Sequence, residues 1–240
     1  MGNAANRGAL LPNVKADIEA KLNSAEAAAD QLEATPVERL NELAALPFLE
    51  TRARILQKTL KLPDVVKALH RLKQLQNNEL CALTDVFYAM PLQRASELQM
   101  AVDADTAEAG ERFPLLGCVL SIKDCIVYKG SSCTQGFLKG YNRPYDHTAP
   151  LIAHLESLGA VVVCKGNVSQ ALMSSESRCV LIRVEKAAPP FLYALVIGSN
   201  MVFGSTSHPL PAHRGRTAGG SSGGDAANVA RCVNPRPLPS

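Results

Sequence analysis

TAGGSSGGDAA, residues 217–227, is the stretch on which the reading of this 240-residue chain turns. Four glycines bracket two serines, with no lysine beside them and no hydrophobic periodicity around them. Three readings compete. A Gly/Ser tract is commonly a flexible spacer, but this one is short and lies beside Arg214 and Arg216. A phosphate-binding loop needs GxxxxGK[ST], and the lysine is missing. The third reading is part of a catalytic site. Glycines let the backbone take positive φ and approach a ligand or strand closely, and a serine held there becomes reactive once a base is within reach.

Which residue is the base? His208 and His213 are near in sequence, but histidines in loops are more often solvent-facing bystanders. Lys123 is the stronger candidate. It ends the apolar run of GCVLSIKD, residues 117–124. A lysine at a strand end is ordinarily a solvated charge, but one that follows such a run is expected to be partly desolvated and able to act as a neutral base.

Composition narrows the class. Hydrophobic residues at 47% against 20% charged suit a folded globular protein rather than a disordered one. A net charge of +3 is too small to argue for nucleic acid as a partner. The seven cysteines are odd in number and form no CxxC pair, which reads as reduced thiols in a cytoplasmic protein and excludes a disulfide framework or zinc site. No apolar run approaches the ~20 residues that span a bilayer. The opening MGNAANRGALL has no basic segment followed by an apolar one, so no secretory signal is expected. Gly2 invites myristoylation, but Asn6 stands where Ser or Thr is wanted.

The chain divides into a helical front and an α/β back. Amphipathic periodicity predicts helices over residues 14–32, 50–60, 64–76 and 78–99, the last interrupted at Pro91, and Thr35-Pro36-Val37-Glu38 reads as a helix start. From Phe113 the pattern becomes strand (117–124), helix (148–158) and strand (AVVVCK, 160–165). The front helices have plain packing as their first explanation.

Four blocks together resemble the amidase signature family, and within it the fatty-acid amide hydrolases. They are FPLLGCVLSIKDCIVYKGSSCTQGF (113–137), DHTAPLIAHLESLGAVVVCKGNVSQALMSSES (146–177), SNMVFGSTSHP (199–209) and RTAGGSSGGDAA (216–227). The order and spacing of the blocks carry the likeness over roughly half the chain. It implies an α/β fold: an N-terminal helical segment (1–110), then the first part of a mixed-sheet, helix-flanked amidase signature core (111–230), incomplete at the C-terminus. It implies a Ser–cis-Ser–Lys mechanism with Lys123 as the neutral base and Ser221 as the bridging serine, the peptide before Ser221 being cis. Leu172 matches a position that lines the acyl pocket beside the bridging serine, and Ser222 a structural neighbour. The implied reaction is hydrolysis of a small-molecule amide, extending to lipid amides, with neither metal nor cofactor. Peripheral membrane contact would belong to a full-length form; the resemblance is silent on oligomeric state.

Two departures stand out. The family's nucleophile lies in a later D-I-G-G-S turn whose backbone N–H groups also form the oxyanion hole, and no such turn occurs in these 240 residues. Without it the chain is expected to be inactive. The second departure is residues 178–198, RCVLIRVEKAAPPFLYALVIG, where the family pattern runs on directly. Both this segment and the tail at 231–240 open on Arg-Cys-Val. That tripeptide can be encoded AGG-TGY-GTN, which contains a splice-donor sequence, so 178–198 reads as an insertion or a retained intron. A non-catalytic binding protein, or a helical interaction protein built on residues 1–110, are the competing readings.

Overall fold

In this computed structural model the described residues are 37–173, 202–204, 206–210, 216 and 218–233, with isolated positions at 16, 17 and 20. The expected helix over 14–32, apart from those three positions, which are helical, and the insertion at 178–198 lie outside them. Seven α-helices, two short 3-10 turns and three strands are described. The front opens with α1 (Val37–Ala45), α2 (Phe48–Leu56) and α3 (Leu62–Leu80). Next come β1 (Leu83–Val86), α4 (Ala89–Ala104) and α5 (Thr106–Arg112). The back holds β2 (Val119–Lys123), α6 (Pro150–Ser157), β3 (Val161–Gly166) and α7 (Gly223–Val233).

One sequence expectation fails. The periodicity over 78–99 predicted a single helix, but the chain leaves α3 at Leu80, turns through Cys81 at φ 49 and enters β1. A left-handed residue cannot continue a right-handed helix, and Leu83-Thr84-Asp85-Val86 gains more by pairing with β3 than by extending α3. Pro91 does not interrupt α4, because it stands in the first turn, where a missing N–H costs nothing. Asp105 then closes α4 and caps α5, its carboxylate accepting from the backbone N–H of Ala107 and Glu108, a device that stabilises a helix by about 0.5–2 kcal/mol.

The sheet order is β1-β3-β2. β1 runs antiparallel to β3, with Leu83 opposite Gly166 and Val86 opposite Cys164. β2 runs parallel to β3, with Val119 opposite Val161 and Lys123 opposite Gly166. All six residues of β3 are buried, as expected for a central strand covered on both faces. On one face Val161 and Val163 join Leu62, Val66, Leu72, Leu98 and Val102 from the front helices and Leu116 from the turn before β2. On the other, Val162 and Ile122 meet Phe87, Tyr128 and Ile152. Each large side chain so buried contributes about 1.5–3 kcal/mol. The front helices and the sheet therefore share one core on either side of residue 110.

α6 returns the chain to β3 through Gly159 at φ +100, where an added Cβ would lie 2.8 Å from Phe113 Cβ. The turn thus needs glycine for both conformation and space. The result sets the C-terminal ends of the parallel strands β2 and β3 side by side, which is where open α/β sheets hold ligands. Among the described residues no helix is long and apolar enough to cross a membrane.

Candidate active site

Lys123 is the last residue of β2, and Gly166 opposite it is the last of β3. Asn167 follows, and it binds several distant segments together. Its backbone N–H donates to Ala82 O at 2.8 Å, and its side-chain amide reaches Cys81 O, Gly204 O and Thr206 Oγ1, each at 3.2 Å. Asn167 O in turn accepts from the N–H of Gly224, the second residue of α7, at 3.0 Å. A side chain at Gly224 would collide with Asn167, its Cβ falling 2.8 Å from Asn167 Cα and closer still to its nitrogen. The glycines of the GGSSGG stretch thus let the start of α7 sit directly on the end of β3.

This docking delivers Ser221 to Lys123. Lys123 Nζ donates to Ser221 Oγ at 2.7 Å, both side chains being half-buried. The Gly220–Ser221 peptide is cis. An amine and a hydroxyl at this separation can exchange a proton in either direction. Ser222 is exposed, and its carbonyl accepts from Ala226 N at 3.0 Å inside the first turn of α7.

Leu172 stands on a separate element, the 3-10 turn Gln170–Leu172. Its φ is 60 and that of Ala171 is 55, a conformation that costs a non-glycine residue about 1–2 kcal/mol. The turn is held by Ala171 N donating to Gln135 O at 2.9 Å and by close packing on Gly136, where an added Cβ would lie 2.8 Å from Gln170 Cα. The structure therefore brings two of the three expected site residues, Lys123 and Ser221, into contact and puts Leu172 on a neighbouring support.

Under the Lys123 strand end lies a buried ionic network that sequence reasoning missed. Asp124 accepts from Thr84 Oγ1 at 3.0 Å, Thr134 N at 3.1 Å and Gln135 N at 2.9 Å, and also from Thr134 Oγ1. Lys165, fully buried, donates to Ser132 O at 2.6 Å and lies 3.8 Å from Asp124 Oδ1. Burial pushes the Lys165 amine below its ordinary pKa, and the Asp124 charge opposes that shift. Together these groups pin the 131–136 loop beside Lys123. Nothing in the local pattern of VVVCKG marks its lysine as buried; only its place in a strand covered on both faces could have.

A second missed pair is Ser121 and Asp225. Ser121 Oγ donates to Asp225 Oδ1, joining β2 to the first turn of α7. Alternation along β2 puts Ser121 and Lys123 on one face, and that signal was readable in the sequence.

A family model described as Amidase matches residues 64–236. A glutamyl-tRNA(Gln) amidotransferase subunit of Anaeromyxobacter sp. (strain K) is 31% identical over 191 residues, covering 79% of this chain and 33% of that protein. Fatty acid amide hydrolase 1 of Caenorhabditis elegans is 26% identical over 213 residues, 89% of this chain and 32% of the other. Among solved structures, a fatty acid amide hydrolase superposes with a TM-score of 0.65 at 21% identity, over 92% of this chain and 34% of that one. The peptide amidase from Stenotrophomonas maltophilia superposes with a TM-score of 0.58 at 22% identity, over 77% and 34%. These structural likenesses speak for the fold alone. The chain spans about a third of the length of the curated relatives it matches.

Proposed function

The chain belongs to the amidase signature family, and from that premise we propose that it carries the base and the proton relay of an amide hydrolase. Lys123 is the base and Ser221 the relay. The observation that carries this reading is the 2.7 Å contact between Lys123 Nζ and Ser221 Oγ. In the neutral form Lys123 takes the Ser221 hydroxyl proton while Ser221 takes one from a nucleophilic serine, whose oxygen attacks the amide carbonyl. The proton then returns along the same path to the leaving nitrogen as the C–N bond breaks. The nucleophile and oxyanion hole belong to the D-I-G-G-S turn, absent from these 240 residues, so we propose that this polypeptide alone does not turn over amides.

For the substrate we propose long-chain fatty-acid amides, with Leu172 lining the acyl pocket. The match with the C. elegans fatty acid amide hydrolase over 89% of the chain supports this choice. A membrane-peripheral cytoplasmic location suits such a substrate. A second reading, transfer of an amide nitrogen, draws on the amidotransferase relatives, which match at 31% identity.

The test begins with the transcript across the codons for residues 177–200 and beyond 230. The protein it encodes is then assayed with an 18-carbon primary amide and with glutamine. Lys123→Ala and Ser221→Ala should each lower turnover by about 10²–10⁴, the range for a lost general base. Either variant keeping more than a tenth of the activity refutes the assigned roles. Turnover of glutamine alone moves the substrate to the second reading.

A further inference from the structure

We propose that Asp225 is a positioning residue. Through Ser121 it locks the start of α7 onto β2 in a single placement, one in which Lys123 reaches Ser221. The inference rests on the Lys123–Ser221 reading above.

The Lys123–Ser221 bond cannot by itself set where α7 lies. A lysine amine rides on a flexible four-carbon stem, so one 2.7 Å contact is compatible with many placements of the helix. The Ser121–Asp225 bond is of another kind. Both side chains are short, so a hydrogen bond between them constrains the two backbones closely.

The two bonds leave β2 from neighbouring positions on one face. Ser121 and Lys123 are two residues apart on one face of a strand, about 6.5 Å along it. Their partners Asp225 and Ser221 are four apart in sequence, Asp225 in the first turn of α7 and Ser221 two residues ahead of it. One stiff strut to α7 and one flexible strut to the residues just ahead of it thus tie this stretch to β2 at two points and limit its freedom to pivot.

Gly166 completes the slot. An added Cβ there would lie 2.7 Å from Asp225 Oδ2 and nearer to the other carboxylate oxygen. The carboxylate therefore occupies the space left by a missing side chain on β3, between Gly166 and Ser121. Its charge is also well placed in the first turn of α7, where the helix dipole favours an anion.

The test uses the 240-residue chain with ¹³C-labelled lysine, so it needs no turnover. The Lys123 side-chain resonance is identified by its disappearance in Lys123→Arg. Ser221→Ala should displace it, which measures the Lys123–Ser221 contact. Asp225→Ala and Ser121→Ala should displace it in the same direction by at least about half as far. Asp225→Asn, which keeps an acceptor oxygen, should restore the original position, and Ser121→Ala should melt within a few degrees of the parent. If Ser221→Ala moves the resonance and Ser121→Ala does not, Asp225 has no positioning role while the Lys123–Ser221 reading survives. If Ser221→Ala leaves it in place, the contact is wrong and both readings fall. Should Asp225→Ala not fold, Ser121→Ala decides alone. An Asp225→Asn resonance as far displaced as that of Asp225→Ala overturns the hydrogen-bonded strut.

Discussion

His70 gives the sharpest physical forecast. It sits on α3 with 2% of its surface exposed, and neither ring nitrogen has a hydrogen-bond partner among the described residues. Its ring meets the edge of Tyr88 with centroids 5.0 Å apart. Burial pulls its pKa from 6.5 to about 4, while the Phe87 backbone, close but outside hydrogen-bond geometry, opposes the shift. The folded state holds this imidazole neutral, so below pH 6.5 the unfolded chain binds more protons than the folded one. Stability from this residue is complete above about pH 6.5 and is lost as pH falls toward 4. Linkage puts the loss at about 1.4 kcal/mol by pH 5.5 and about 3 kcal/mol by pH 4. That is a large part of the ~5–15 kcal/mol that holds a typical domain folded. The assay is urea denaturation of the parent chain and of His70→Leu at pH 7, 5.5 and 4.5. Subtracting the two series removes the carboxylates and the other histidines. The leucine variant should match or exceed the parent at pH 7, since it removes an unsatisfied buried polar group, and its advantage should widen on acidification. A difference that stays constant from pH 7 to 4.5 would refute the reasoning, because it would mean that His70 charges as freely in the folded chain as in the unfolded one.

Three further outcomes are expected. Gly224→Ala should cost about 3 kcal/mol, the upper end for overpacking, because its Cβ meets the Asn167 backbone rather than a movable side chain; a loss below about 0.5 kcal/mol in urea melts would show that α7 does not sit on β3. Asp124→Ala should destabilise by about 3–5 kcal/mol, the range for breaking a buried pair. Lys165→Met should cost less, since Asp124 keeps its bonds to Thr84, Thr134 and Gln135; the reverse order in thermal melts would contradict the network. A fragment of residues 1–110 should lack cooperative unfolding by circular dichroism, because β1 pairs with β3 and the front helices share their core with Val161 and Val163.

Much of the architecture was legible. The run AVVVCK announced a strand because burial on both faces requires nearly continuous apolar character. Residues 50–60 and 64–76 announced helices because one apolar stripe faces a core, although the first ends at Leu56, where Lys58 at φ 59 breaks it. β1 was not legible. Four residues with Thr84 and Asp85 among them carry too little periodicity, and what makes them a strand is the edge of β3, far downstream.

The site divides in the same way. Sequence alone determined the chemistry on offer: a lysine at a strand end, two serines among glycines and enough small residues for close backbone approach. Those are properties of residue types and near neighbours, so they can be read along the chain. Only the tertiary structure decided which polar groups meet. Lys123 and Ser221 are 98 residues apart, and Ser121 and Asp225 are 104 apart. The burial of Lys165 against Asp124 likewise follows from the central place of β3. A hydrogen bond needs its two atoms within about 3 Å, and for residues so distant in sequence that separation is set by how helices and strands pack, not by any local pattern.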